Sequence, residues 1–158
     1  MKEFVAYTDG SFDMNDNVGS SSVVILDKEE NIVFYHRAKA RRVIPAPGGK
    51  QQFAQEQELG ACIRAAMCVP EGARLTIKTD SQYCAKVLSG EWNASANLGL
   101  IDRFDEVRRS RHLRVEFIKV KEHSGNRYNE FADELCATVA TSLRTGGSGL
   151  VEYGKVPE

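Results

Sequence analysis

The stretch that decides the fold is Phe4-Val5-Ala6-Tyr7-Thr8-Asp9-Gly10-Ser11. Apolar and polar residues alternate up to Thr8, and this period of two predicts a strand. Asp9 ends that strand, and a turn begins at Gly10. The run Leu75-Thr76-Ile77-Lys78-Thr79-Asp80 repeats the arrangement, because it also alternates and also ends in Thr-Asp. Two predicted strands therefore each end in a carboxylate.

Two carboxylates at the ends of neighbouring strands repel each other unless a cation lies between them. The simpler interpretation is that Asp80 is a helix N-cap and Asp9 is a turn residue. For either residue alone, that interpretation is the better one. Both occur here, and they are followed by His123-Ser124-Gly125 and by Asp133. This combination favours a functional site.

Length and composition indicate the class of protein. The chain has 158 residues, 42% of them hydrophobic, which predicts one domain with a sizeable core. No apolar run is long enough for a membrane span, and the first residues enter a strand directly, so neither a membrane protein nor a signal peptide is expected. The four cysteines lack C-x-x-C spacing and are expected to be reduced core residues of a cytoplasmic protein. A net charge of −1 excludes binding of nucleic acid by charge alone, but it is compatible with an acidic site that is offset by divalent metal.

The pattern predicts nine elements. The strands are expected at about 3–9, 23–26, 32–35, 74–79 and 115–120. The helices are expected at about 51–68, 81–88, 98–110 and 127–143. Three strands joined by short loops predict an antiparallel meander, and the later alternation of helix and strand predicts an α/β sheet with helices packed on it. The Gly-rich residues 144–158 are predicted to be a flexible tail after a domain spanning 1–143.

Helical geometry tests the remaining acids. Glu58 borders the apolar stripe of its predicted helix, whereas Glu56 points about 200° around a helix from it, so only one of the two can face the strand ends. Asn129 and Asp133 are four residues apart and share a face with Ala137. Taken singly, ordinary surface charge is the commoner explanation for an acid on an amphipathic helix.

These residues together resemble the type 1 ribonuclease H family. The family pattern has a strand ending Asp-Gly-Ser, a helix with a metal-binding Glu, a strand ending Thr-Asp-Ser, and a late His-x-Gly loop before a helix with the fourth acid. In this chain the corresponding segments are Thr8–Ser11, Glu58-Leu59, Thr79–Tyr83 and His123–Gly125 with Asp133. The match covers about residues 3–143. It implies a ribonuclease H-like fold with a five-stranded mixed sheet, an antiparallel meander plus two parallel strands, and helices on both faces.

The resemblance also implies the chemistry. The chain is expected to be an endoribonuclease that hydrolyses the RNA strand of RNA–DNA hybrids with two Mg²⁺ ions, or with Mn²⁺ in their place. Asp9 is expected to bridge both ions, and Glu58, Asp80 and Asp133 complete the set of ligands, with Glu58 favoured over Glu56 by its spacing to Asp80. His123 is expected to move protons or to help the product leave; the alternative is a plain surface histidine.

Substrate contacts are likewise carried over from the family. RNA is distinguished from DNA through its 2′-hydroxyls in the minor groove of an A-like duplex. The residues implied for these contacts are Gly10, Ser11, Asn15 or Asn17, Gln55, Gln82 and Asn129. Trp92 is expected to pack on a deoxyribose of the DNA strand, or else to cover the core.

The chain departs from many bacterial relatives in one respect. The basic helix that they insert after the second Asp is absent, since residues 87–102 contain no Arg and no Lys. Substrate grip is then expected from Arg37, Lys39, Arg41 and Arg42, or from the Arg-rich residues 103–114, although such a stretch is more often a solvated helix face. A cytoplasmic monomer that binds no membrane is expected.

Two other classes stay open from the sequence. One is a DNA-directed nuclease or strand-transfer enzyme of the same fold, which also uses clustered acids. The other is a catalytically inactive nucleic-acid-binding module, against which the presence of all four acids argues. A phosphate-loop ATPase related to the sugar kinases needs a second domain, and the chain is too short for one.

Overall fold

The structure is a computed structural model that describes residues 1–13, 15–41, 49–121 and 125–157, except for the side chains of Arg41 and Lys50. Among these residues six strands form one sheet: β1 (Glu3–Asp13), β2 (Val18–Leu26), β3 (Ile32–Arg41), β4 (Arg74–Thr79), β5 (Arg114–Lys119) and β6 (Val151–Gly154). The helices are α1 (Gly49–Cys68), α2 (Gln82–Leu88), α3 (Leu98–Ser110), α4 (Arg127–Ala137) and α5 (Val139–Arg144).

The strand order is β5-β4-β1-β2-β3-β6. Strands β1, β2 and β3 form the predicted antiparallel meander, and β4 and β5 add parallel strands beside β1. Because β1 and β4 are parallel neighbours, their carboxyl ends meet at the same end of the sheet. The mixed α/β sheet is therefore as predicted. The predicted end of the first strand at Asp9 is wrong, because β1 continues in its pairing with β2 to Asp13. Asp9 and Asp80 still lie at the same level of the sheet, since Tyr7 pairs with Lys78 in the parallel β1–β4 ladder.

The predicted count of five strands is wrong, because β6 pairs antiparallel with β3 and makes a sixth. Tyr153 of β6 stacks on Tyr35 with ring centroids 4.9 Å apart, and Val156 beyond it is buried in the core. Four residues between glycines are too few for periodicity to reveal a strand. Part of the segment assigned to a flexible tail is thus paired in the sheet, while the domain boundary at residue 143 stays a prediction.

The last predicted helix, 127–143, is two helices that meet at Thr138. The Thr138 hydroxyl donates to the carbonyl of Glu134 at 2.9 Å, a bond that competes with regular helix geometry. Arg37 of β3 donates to the Leu135 carbonyl at 3.2 Å and also bonds the Thr138 hydroxyl. The apolar spacing of Phe131, Leu135 and Val139 continues across this break, which is why the pattern alone predicted one helix.

Alternation along β1 sends its side chains to two different layers. Thr8 and Phe12 face α1, where Phe12 packs on Phe53 with centroids 4.5 Å apart. Tyr7 faces α4, and its ring lies 5.6 Å from that of Tyr128. The helices α1 and α3 and the strand β4 enclose the larger core, and α4 covers a smaller one. Helices on both faces of the sheet are therefore present, as predicted.

All four cysteines are free, and Cys62, Cys84 and Cys136 are buried. No helix in the described part of the chain is both long and apolar enough to cross a bilayer.

Candidate active site

Three carboxylates converge at the carboxyl end of the central strands. One oxygen from each of Asp9, Asp80 and Asp133 lies within 4.8 Å of the other two. Asp9 is on β1 and Asp133 is on α4, while Asp80 directly follows β4. All three residues are partly buried, so solvent screens their mutual repulsion less than it would on an open surface.

Glu58 reaches the same place from the opposite layer. It lines a cavity of about 440 Å³ together with Asp9, Asp80 and Asp133. Its competitor Glu56 is not among the lining residues of that cavity. The structure therefore places Glu58, the acid favoured by the sequence, in the wall of the site.

Gly10 is what allows α1 to lie so close to β1. A Cβ added at Gly10 would stand 2.2 Å from the Glu58 nitrogen and 2.4 Å from the carbonyl carbon of Gln57. Both are backbone atoms of α1 and have no freedom to turn aside. The missing side chain thus brings the Glu58 backbone into contact with the strand that carries Asp9.

Ser81, rather than Asp80, is the N-cap of α2. Its hydroxyl accepts a hydrogen bond from the Cys84 backbone N–H at 3.1 Å. The interpretation of Asp80 as a cap is therefore wrong. Ser81 was not predicted as a site residue, yet its side chain also hydrogen-bonds Glu58. The Ser at the start of an apolar helix, three residues before Cys84, was the available signal for this cap.

Asn126 fixes the start of α4 by accepting backbone N–H bonds from Tyr128 at 3.0 Å and Asn129 at 3.1 Å. One turn before Asp133, the side chain of Asn129 is 1% exposed, and neither its amide oxygen nor its amide nitrogen has a hydrogen-bond partner among the residues that the structure describes. An orphaned buried amide is costly unless a bound group satisfies it. Its position on the same face of α4 as Asp133 fits a hydrated cation or a ligand at this end of the sheet.

Ionisation at the site is unfavourable without a cation. Burial, followed by the hydrogen bond and charge of Asp133 and by the charge of Asp80, raises the pKa of Asp9 to about 9. Burial also raises the pKa of Glu58 to about 7, against the opposing hydrogen bond from Ser81. Asp9 and Glu58 therefore resist ionisation. A hard divalent cation prefers oxygen ligands such as the four carboxylates of this cavity, and it would relieve their mutual repulsion.

This repulsion predicts that Asp9→Asn stabilises the metal-free protein. The folded pKa of Asp9 lies above its unfolded value of about 4, so the folded state holds the extra proton and stability falls as pH rises from about 4 to 9. We expect the variant to gain about 1–2 kcal/mol in EDTA at pH 8 and much less at pH 5. Thermal melts at both pH values measure this.

Magnesium provides the control for that comparison. It should raise the melting temperature of the parent by mass action and do much less for Asp9→Asn. If the variant melts below the parent in EDTA at pH 8, the carboxylates do not form a repulsive cluster.

The remaining predicted residues are distributed as follows. Gly10 and Ser11 line the carboxylate cavity. Gln82 is exposed at the start of α2, and Gln55 is partly buried on α1. Asn15 is exposed in the turn between β1 and β2, and Asn17 in the same turn has a φ of 53°. Trp92 is 46% exposed, which argues against a role as a core cover. His123 lies outside the described residues.

Three residues that were not predicted as site residues line the cavities here, and a fourth, Ser22, lies beside them. Cys136 and Ala137 of α4 line the carboxylate cavity, and Ser20 of β2 lines a smaller adjoining one. Ser22 hydrogen-bonds α4 beside them. Cys136 lies three residues after Asp133, so helical spacing was a usable signal for it. The proximity of the two serines to the site follows only from the pairing register of β2 with β1.

The chain is similar to known proteins in sequence. A sequence model of the family described as RNase H matches residues 1–141. The protein named Ribonuclease H of Jannaschia sp. is 30% identical over 163 aligned residues, which cover 94% of this chain and 98% of that protein. The Ribonuclease H of Dinoroseobacter shibae is 30% identical over 162 residues with the same coverage.

Solved structures agree on the fold. A crystal structure of RNase H1 from the halophilic archaeon Halobacterium salinarum superposes with a TM-score of 0.68 at 20% identity, covering 89% of this chain and 98% of that one. The N-terminal RNase H domain of a Mycobacterium tuberculosis protein gives a TM-score of 0.67 at 14% identity, covering 90% and 99%.

Proposed function

Since this chain belongs to the ribonuclease H family, we propose that it hydrolyses the RNA strand of RNA–DNA hybrids at the four-carboxylate site. The observation that supports this most directly is the approach of Asp9, Asp80 and Asp133 within 4.8 Å of one another. Glu58 in the same cavity wall completes the set of acids.

The residues present fit two divalent cations, with Mg²⁺ as the first choice and Mn²⁺ as the alternative. Carboxylate oxygens are the ligands that such hard cations prefer, and the orphaned amide of Asn129 offers a further polar contact. Asp9 is central, because Asp133 and Asp80 both act on it. When bound, two metal ions supply an activated water, neutralise the scissile phosphate and stabilise the leaving oxygen.

The protein's own contribution is to hold these groups in place. Asp9 is fixed in the paired section of β1, opposite Ser22 of β2. Glu58 is oriented by the Ser81 hydroxyl, which itself is held by its capping bond to Cys84. Asp133 is placed by α4, whose first turn is capped by Asn126. His123 is proposed to move a proton to the leaving group or to help product release, as in the family pattern.

Substrate recognition is proposed to use groups around the cavity. Gly10 and Ser11 lie in its wall, and exposed Gln82 and Asn15 are accessible to a bound duplex. Gln55 and Asn129 are proposed as further contacts to the 2′-hydroxyls of RNA. The exposure of Trp92 supports stacking of its ring on a deoxyribose of the DNA strand. A monomer in the cytoplasm is proposed, and the four free cysteines fit a reducing compartment.

One gel tests the proposal. A hybrid labelled on its RNA strand is incubated with the protein in Mg²⁺, in Mn²⁺ and in EDTA, beside duplex DNA of the same sequence. Cleavage of the RNA strand alone, dependent on metal and absent with Asp9→Asn, is the expected result. Cleavage of duplex DNA in place of the hybrid would instead assign the chain to the DNA-directed enzymes of this fold.

The structure also bears on how the hybrid is held. On α3, Arg103 pairs with Glu106, and Arg108 and Arg109 both pair with Asp105 at 2.5 and 2.7 Å. Arg37 is engaged by α4, as described above. These pairings engage three of the five arginines of residues 103–114, and the two acids reduce the formal charge of the stretch from +5 to +3. Arg42 and the side chain of Arg41 lie outside the described residues.

We therefore predict a shallow salt dependence of hybrid binding. Each phosphate neutralised adds about 0.9 to the slope of log K against log salt, so fewer than about six contacts give a slope below about 5. The measurement uses Asp9→Asn, which binds without cleaving. A slope as steep as that of a protein with about 6–10 phosphate contacts would show that a basic surface has been missed.

A further inference from the structure

Two serines of β2 hold α4 against the sheet at the level of the carboxylates. The Ser22 hydroxyl, fully buried, donates to the Ala132 carbonyl at 2.7 Å. The Ser20 hydroxyl, 3% exposed, donates to the Cys136 carbonyl at 3.2 Å. Ala132 and Cys136 are four residues apart, so two successive turns of one helix are bonded to one strand.

The strand register places these bonds beside the site. In the β1–β2 ladder, Ser22 lies opposite Asp9 and Ser20 lies opposite Ser11. On the helix, Asp133 directly follows the carbonyl of Ala132. The hydrogen bond between Ser22 and Ala132 therefore connects the residue opposite Asp9 to the residue that precedes Asp133.

Two more contacts make the arrangement continuous. The hydroxyls of Ser11 and Ser20 lie 2.9 Å apart, and the Cys136 thiol donates to the Ser22 hydroxyl at 3.3 Å. Ser11 and Cys136 both line the carboxylate cavity. The hydroxyls of Ser11, Ser20 and Ser22 thus lie in a row between the sheet and α4, and the row begins at the cavity wall with Ser11.

Directional bonds constrain a helix differently from apolar packing. Apolar contacts between helix and sheet permit small sliding movements, whereas hydrogen bonds weaken steeply as their length and angle change. A buried hydroxyl that loses its acceptor retains the full cost of its desolvation. Sliding or rotation of α4 along β2 would break both bonds at once. A metal site requires ligands held to within about 0.5 Å, which is the scale of movement that the bonds oppose.

We propose that Ser20 and Ser22 are positioning residues that set the separation of the Asp9 and Asp133 carboxylates, and through it the affinity of the site for divalent metal. This inference rests on the proposed function only in that the carboxylates bind metal. It assigns the two serines a role through α4 and not through contact with the substrate.

The test compares Ser20→Ala and Ser22→Ala with a matched control, Ser21→Ala. Ser21 lies between them on β2, is partly exposed, and by the alternation of the strand points to the opposite face. Calorimetric titration with Mn²⁺ and with Mg²⁺, without nucleic acid, measures metal affinity directly. We expect the dissociation constant to rise about tenfold for Ser22→Ala, the lower end of the effect of groups that support metal ligands, and not to change for Ser21→Ala.

A double-mutant cycle with Asp133→Asn distinguishes a positioning role of Ser22 from a general loss of stability. If Ser22 acts through Asp133, Ser22→Ala should weaken metal binding much less in the Asp133→Asn background than in the parent. Equal weakening in both backgrounds overturns the proposal, as does a melting temperature that falls with no change in metal affinity. Should Ser22→Ala fail to fold, Ser20→Ala supplies the same comparison.

The calorimetry keeps this proposal distinct from the proposed function. A parent protein that binds Mn²⁺ but cleaves no hybrid would disprove the function and leave the serine test intact. A parent protein that cleaves hybrid, together with serine variants whose metal affinity is unchanged, would support the proposed function and disprove the role of the serines.

Discussion

Replacing Asp9, Glu58 or Asp80 with the matching amide lowers the rate of hybrid cleavage by about three orders of magnitude or more. The amide keeps the shape of the side chain and removes the ligand charge, and the bound metals supply most of the charge stabilisation in the transition state. Single-turnover cleavage of a labelled hybrid at saturating Mg²⁺ measures the effect. Asp133→Asn should be milder, since an amide oxygen still ligates a metal.

Glu56→Gln is the matched control for that series. It lies on the same helix as Glu58, two residues earlier, and it should leave cleavage close to that of the parent. If Glu56→Gln abolishes cleavage and Glu58→Gln does not, the assignment of the helical ligand is wrong.

Gly10→Ala destabilises the fold by about 3 kcal/mol or more, at the upper end of the usual cost of overpacking. The new Cβ would stand 2.2 Å from the Glu58 nitrogen, so either α1 or β1 must move. Because Glu58 belongs to α1 and Asp9 precedes Gly10, that movement separates the acids as well. Urea denaturation measures the stability, and titration with Mn²⁺ measures the accompanying loss of metal affinity.

Gly60→Ala is the control for this substitution. Gly60 also lies on α1, and a Cβ there would meet nothing within 4 Å. Alanine is the better helix former, so this variant should be more stable than the parent by about 0.5–1 kcal/mol. A Gly10→Ala protein as stable as the parent would show that the close approach of strand and helix is not required.

The sequence could predict what depends on local pattern. Alternation predicted the central parts of β1 and β4, and helical geometry showed that only one of Glu56 and Glu58 could face the strand ends. The resemblance to the family then favoured Glu58. The parallel placement of the two Thr-Asp endings then followed from the family pattern. All of these features are visible within short stretches of chain.

The remainder depends on contacts between distant segments. Strand β6 is four residues long and becomes a strand by pairing with β3. The break at Thr138 is bonded by Arg37, which lies 101 residues earlier in the chain. The role proposed for the serines of β2 depends on the strand register, which places Ser22 opposite Asp9. No periodicity within a segment carries such information.

The pairing of β6 with β3 also has a consequence for solubility. A strand with an open edge presents unpaired N–H and C=O groups on which another chain can assemble, and β3 is ten residues long. β6 covers part of that edge, and as a strand of four residues it presents a much shorter edge of its own. Its outer residues include the exposed Glu152, a charge of the kind that discourages edge-to-edge association. We therefore expect that β6, the last strand in the described part of the chain, limits edge-to-edge association of the folded protein.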